Sequence, residues 1–133
     1  MKIVLDSSVS IAALARPGVC TQLLDEVVAG HSLCSSGYIL DEVGRELRDK
    51  FLVPPGDVKK TTAALESICE MAQPQPVPAG SYRDPNDLPV LGTAVAARAD
   101  LLITVDKDVL VLGRFGSFNI VRPAEFWKSK KKE

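Results

Sequence analysis

A chain of 133 residues, 46% of them hydrophobic and carrying a net charge of −1, suits one domain with a core of its own. That charge argues against binding nucleic acid by broad electrostatic attraction, so a polyanion would have to be met by local cations or a bound metal. A single histidine, His31, and three scattered cysteines, Cys20, Cys34 and Cys69, argue against a histidine-based triad, the usual zinc ligand sets and a disulfide framework.

No apolar run is long enough to cross a bilayer, and MKIVLDSS meets an acid too early for a secretory leader. The expectation is a soluble cytoplasmic protein, one domain over 1–127, with no membrane partner and a basic tail at 128–133 that reads as solvated, with a grip on nucleic acid as the lesser alternative.

In chain order, KIVL (2–5) reads as an apolar strand, and Asp6-Ser7-Ser8 as a strand-to-helix turn before Val9, Ile11 and Leu14. Arg16-Pro17-Gly18 breaks that helix. An amphipathic helix from Cys20 to Ala29 follows, closed by Gly30, and His31–Cys34 is a second strand. Ser35-Ser36 caps a third helix whose buried stripe is Ile39, Leu40, Val43 and Leu47, with Glu42 and Glu46 together on another face.

Pro54-Pro55-Gly56 turns the chain, and Asp57 caps a helix expected to run through Leu65, Ile68 and Met71. The prolines between Gln73 and Pro78 make that stretch extended, with Val77 a candidate edge strand. In DPND, Asp84 caps and Pro85 opens a helix whose face is Leu91, Ala94, Val95 and Arg98, so that Asp87 falls in the first turn. LLITV (101–105) is a short apolar strand of the kind covered on both faces, and Asp106 stands at its carboxyl end. A short helix at Val109–Leu112, a turn at Gly113–Gly116, a strand FNIV (118–121) and a helix opened by Pro123 complete the chain.

Strands alternating with helices imply an α/β fold with a central parallel sheet and helices on both faces. There is no Gly-rich nucleotide loop and no internal repeat. Asp6, Asp87 and Asp106 each fit a plain helix cap when taken singly. Jointly they occupy the places where an open parallel sheet binds ligands, outside the carboxyl ends of its strands. Carboxylates meeting there repel one another unless a cation joins them, and Mg2+ or Mn2+ suits hard oxygen ligands. Such an ion can activate water against a phosphodiester without a histidine.

The segments VLDSS, SSGYILDEV, DPNDLPVLGTAVAARAD and ITVDKDVL, in that order, resemble a PIN domain, and most of all the prokaryotic PIN proteins that act as toxins of toxin-antitoxin pairs, the VapC-like ribonucleases. The resemblance implies a three-layer α/β/α sandwich, a metal-dependent ribonuclease acting on RNA, a protein antitoxin and a homodimer. It places the four acids of the family at Asp6, Glu42, Asp87 and Asp106, as ligands of Mg2+ or Mn2+. Ser8 stands where many members carry asparagine, and Thr104 fits a polar position that orients a carboxylate or water.

Asp84 reads as a cap rather than a ligand, Asp108 equally as a further ligand or a first-turn residue, and Glu46 as a solvated neighbour of Glu42. Lys107, Arg83 and Arg45 are candidates to approach phosphates, set against the commoner reading of lone cations beside acids as surface pairs of small worth. Two other functions remain open. One is aspartyl-phosphate chemistry, for which Asp6-Ser7-Ser8 lacks a second aspartate two residues on; the other is a catalytically silent PIN-like module that binds RNA or protein.

Overall fold

Two short, largely apolar stretches of the sequence lie side by side in the middle of a sheet. The computed structural model describes residues 1–15, 17–78 and 88–131. In it β1 (Lys2–Leu5) pairs in parallel with β4 (Leu101–Ile103), placing Ile3 opposite Leu101, Val4 opposite Leu102 and Leu5 opposite Ile103. All six of these side chains are buried, as befits strands covered on both faces.

Between them in sequence come α1 (Ser7–Ala15), α2 (Val19–Gly30), β2 (Ser32–Ser35), α3 (Gly37–Asp49), α4 (Pro55–Ser67), β3 (Glu70–Met71) and α5 (Leu88–Ala97). After β4 follow α6 (Lys107–Leu110), β5 (Arg114–Phe115), β6 (Phe118–Val121), a 3-10 turn at Pro123–Glu125 and α7 (Phe126–Lys131). The strand order is β3-β2-β1-β4-β6-β5, parallel throughout except for β5, which returns antiparallel on β6. Helices flank this sheet, giving the expected α/β/α sandwich. No described helix is long and apolar enough to cross a membrane.

The strand order matters for the site. From β1 the chain builds outward to β2 and β3 on one side, then returns to place β4 on the other side of β1. The reversal opens a crevice beyond the carboxyl ends of β1 and β4, where loops diverge instead of covering one another.

Helix α3 forms one wall of that crevice. The Ser36 hydroxyl oxygen accepts the Ile39 N–H at 3.4 Å as the N-cap. Ile39, Leu40, Val43 and Leu47 are buried as one stripe, which turns Glu42 and Glu46 away from the core. The Thr93 hydroxyl of α5 lies 2.8 Å from Ser36 Oγ, tying α5 to the start of α3.

Several local expectations change. Helix α4 begins at Pro55, with Pro54 at the cap position and no side-chain cap, so Asp57 is a first-turn acid instead. It stops at Ser67, well short of Met71; Glu70 and Met71 leave the helix to pair with Cys34 and Ser35 as the edge strand. Val77 therefore forms no strand. The extended stretch it belongs to packs on α5 instead, where the Gln75 N–H donates to the Gly92 carbonyl at 3.0 Å.

The buried face of α5 is Val90, Leu91, Ala94 and Ala97 rather than one that includes Arg98, which is exposed and has φ 54° just past the helix end. The turn expected at Gly113–Gly116 contains the short strand β5, held on β6 by pairing of Phe115 with Phe118. The closing helix begins at Phe126 and runs on to Lys131, into the basic stretch. Asp84, Asp87 and Arg83 lie outside the described residues.

Candidate active site

Asp6 is the first residue past β1, and its surroundings follow from that position. Its backbone N–H continues the sheet by donating to the Ile103 carbonyl at 3.1 Å, which aims the side chain into the crevice. One carboxylate oxygen, Oδ1, accepts the Val9 N–H and the Ser8 hydroxyl, each at 2.9 Å. The other, Oδ2, accepts the hydroxyl of Thr104, a residue with no exposed surface just past β4. Asp6 is thus both the cap of α1 and a member of the pocket; the two roles expected as rivals coexist.

Thr104 also serves Asp106, whose backbone N–H reaches the Thr104 hydroxyl oxygen at 3.1 Å. Asp106 in turn caps α6, accepting the Asp108 N–H at 2.9 Å. From the opposite wall, the Ser7 hydroxyl donates to Glu42. Two neighbouring residues of one turn, Ser7 and Ser8, therefore hold two different carboxylates.

Asp6, Glu42, Glu46 and Asp106 line one pocket of about 310 Å³ together with Ser7, Ser8 and Thr104, over a floor that includes Val90, Leu102 and Val109. Among the described residues, no lysine, arginine or histidine is in this lining. Burial pushes the Asp6 carboxyl above its ordinary range; the donors Thr104, Val9 and Ser8 pull it down, and the Asp106 charge pushes it up further. The three donors thus offset the burial of this carboxylate only in part.

That incomplete compensation is the test of fit for a divalent cation, and the donor set passes it: oxygen ligands only, at a sheet crevice, with no cationic side chain among the described lining residues. Among the described residues, no group of three potential ligands already stands at metal-holding spacing. Asp6, Glu42 and Asp106 face one pocket and are the residues that could hold the ion.

Other expected members fall differently. Ser8 and Thr104 both donate to Asp6. Asp108 is exposed in the first turn of α6 and does not line the pocket. Glu46, expected as a solvated neighbour, is half-buried and does line it; the signal was its spacing from Glu42, one helical turn along the same face. Ser7 was overlooked because a serine inside a DSS turn resembles any other helix-starting residue.

The sequence matches the family model of the PIN domain over residues 2–108. No curated protein matches it significantly. Among solved structures, it is similar to VapBC2 from Rickettsia felis, determined bound to a DNA fragment from its promoter, with a TM-score of 0.65 at 15% identity, covering 92% of this chain and 98% of that one. It is also similar to VapBC-1 from nontypeable Haemophilus influenzae, with a TM-score of 0.62 at 17% identity, covering 93% of this chain and 99% of that one. At such identities these two likenesses speak for the fold.

Proposed function

The chain belongs to the PIN domain family, and from that membership we propose that it is a Mg2+- or Mn2+-dependent endoribonuclease and the toxin of a toxin-antitoxin pair. The observation that supports this most is the pocket in which Asp6, Glu42, Glu46 and Asp106 converge, with no cationic side chain among the described lining residues. The partner reading is supported by structural neighbours that come from VapBC assemblies. A homodimer belongs to the same reading.

Bound in this pocket, the ion supplies Lewis acidity toward a phosphoryl oxygen and an acidified water. Asp6, Glu42 and Asp106 would hold it, with Asp87 as the remaining acid of the set. Thr104 bridges Asp6 and Asp106, fixing the direction of one carboxylate and the backbone of the other. Glu42, held by Ser7, is placed on the facing wall to orient the attacking water.

The test is cleavage of labelled RNA by the purified chain with Mn2+, with Mg2+ and with chelator, beside Asp6→Asn and Asp106→Asn. The outer-shell partners of metal sites are worth about 10- to 100-fold, so losing a direct ligand should cost more than about a hundredfold. Metal-independent cutting, or full activity in both variants, would overturn the reading.

A further inference from the structure

Helix α6 has two sides, and the acidic pocket occupies only one of them. Asp106 and Val109 face that pocket, whereas Lys107, Leu110 and Val111 line a second, larger cleft of about 730 Å³. Its other wall is the end of β6 and the start of α7, contributing Asn119, Arg122, Glu125 and Lys128. One backbone hydrogen bond links the neighbourhoods of the two cavities. The Thr104 N–H donates to the Val121 carbonyl at 3.0 Å, so Arg122 emerges directly beside the residue that holds Asp6.

The charge of this cleft is the reverse of its neighbour's. Lys107, Arg122 and Lys128 stand against one carboxylate, Glu125, which pairs with Arg122 at 3.4 Å. That pair is largely exposed, at 60% and 43%, and an exposed pair of this kind is readily exchanged for another anion. In a chain of net charge −1, three cations gathered on one cleft beside an acidic pocket are a local feature and not a reflection of overall composition. Val111, 82% exposed at the rim, adds an apolar surface.

We propose that this cleft is where single-stranded RNA is gripped by its phosphates, with Lys107, Arg122 and Lys128 as the cationic contacts that deliver an adjoining phosphodiester to the acidic pocket. This rests on the ribonuclease reading for its choice of polymer. The division of labour is physical. A carboxylate pocket repels a polyanion, so the chain must be held by cations next to it, and the metal then needs to neutralise only the phosphate being cut.

The experiment measures binding and cleavage separately. Binding of a short fluorescein-labelled single-stranded RNA is followed by anisotropy in EDTA, so that nothing is cut, over a series of salt concentrations. The compared proteins are the intact chain, the triple variant Lys107→Ala/Arg122→Ala/Lys128→Ala, and a control, Arg45→Ala/Lys59→Ala, which removes cations from the groove between α3 and α4. Each phosphate contact on a single strand contributes about 0.7 to the slope of log K against log salt, so the triple variant should lose up to about 2 in slope and bind roughly tenfold more weakly at low salt.

The control should match the intact chain, and thermal melting shows whether each variant folds. In the cleavage assay the triple variant should raise KM more than it lowers kcat. An unchanged slope in a folded triple variant, an equal loss in the control, or no RNA binding by the intact chain would overturn the proposal. RNA binding that depends on the cleft without any metal-dependent cleavage would sustain it and overturn the ribonuclease reading instead.

Discussion

Thr104 and Asp6, held by neighbouring strands and far apart in the chain, share one hydrogen bond at the bottom of the crevice, and Thr104 contributes no surface to solvent. The contact links the ends of β1 and β4 through a charge, so its loss should be felt both in stability and in the affinity of the pocket for metal.

Thr104→Val keeps the shape and removes the hydroxyl. Hydrogen bonds to charged groups are worth about 1.5–3 kcal/mol, so the melting temperature should fall. Affinity for Mn2+ should fall by about 10- to 100-fold, as for other residues that orient a ligand. Thr104→Ser, which retains the donor, should recover most of the affinity. Calorimetric titration of Mn2+ into the three proteins checks this, and equal affinities would show that Asp6 needs no help from Thr104.

The metal-free protein should lose stability as pH rises. The Asp6 carboxyl titrates above its ordinary 3.8, chiefly because it is buried. Between those two values the native state binds the proton more tightly than the unfolded chain does. The resulting stabilisation is full below the ordinary carboxylate range and disappears as pH climbs through the raised native value. In EDTA, Asp6→Asn should flatten this part of the profile of urea midpoint against pH and be the more stable protein at neutral pH. Mn2+ should raise the midpoint of the parent chain and have little effect on the variant.

Two glycine substitutions should have opposite effects. A Cβ on Gly92 would lie 2.2 Å from the Gln75 carbonyl oxygen, a backbone atom that cannot swing aside. Gly92→Ala should cost about 1–3 kcal/mol and loosen the stretch that packs on α5. A Cβ on Gly44, inside α3, would meet only Thr62 and Val58 side chains at 3.5 and 3.6 Å, an ordinary contact. Gly44→Ala should be neutral or stabilising by up to about 1 kcal/mol, because alanine favours the helix. Thermal melting of the two variants distinguishes these outcomes.

The thiols of Cys34 and Cys69 should resist alkylation. Burial pushes both up to about 11, with Glu70 adding to the effect on Cys34 and the neighbouring Cys34 thiol adding to that on Cys69. At pH 8 such a thiol is roughly one part in a thousand thiolate, so both should react with iodoacetamide about a hundredfold more slowly in the folded chain than in urea. Peptide mass spectrometry over a time course provides the measurement.

The centre of the fold was readable because β1 and β4 are short unbroken apolar runs and α3 has a clean buried stripe beside its serine cap. Its margins were not. Glu70–Met71 is two exposed residues with no alternation to reveal them, and Arg114–Phe115 is hidden between turn glycines. Pairing with an existing strand, not local preference, decides both.

Within the site, Asp6 and Asp106 stood out because each follows a recognisable apolar strand, whereas Glu42 was reached only through the resemblance to the PIN domain. Glu46 was misjudged because sequence spacing gives a helix face but not what stands opposite it. Lys107 and the basic tail were candidates for meeting phosphates, but their sharing a cleft with Arg122 was not legible, since Lys107, Arg122 and Lys128 come together only when β6 lies alongside β4.

Both outer margins of the sheet are two-residue strands, β3 on one side and β5 on the other. So little unpaired backbone gives a foreign strand almost no ladder to extend, which protects against fibril-like stacking. Any stable pairing of two such molecules must therefore use helical faces and side chains, and should leave the main-chain register of the sheet untouched.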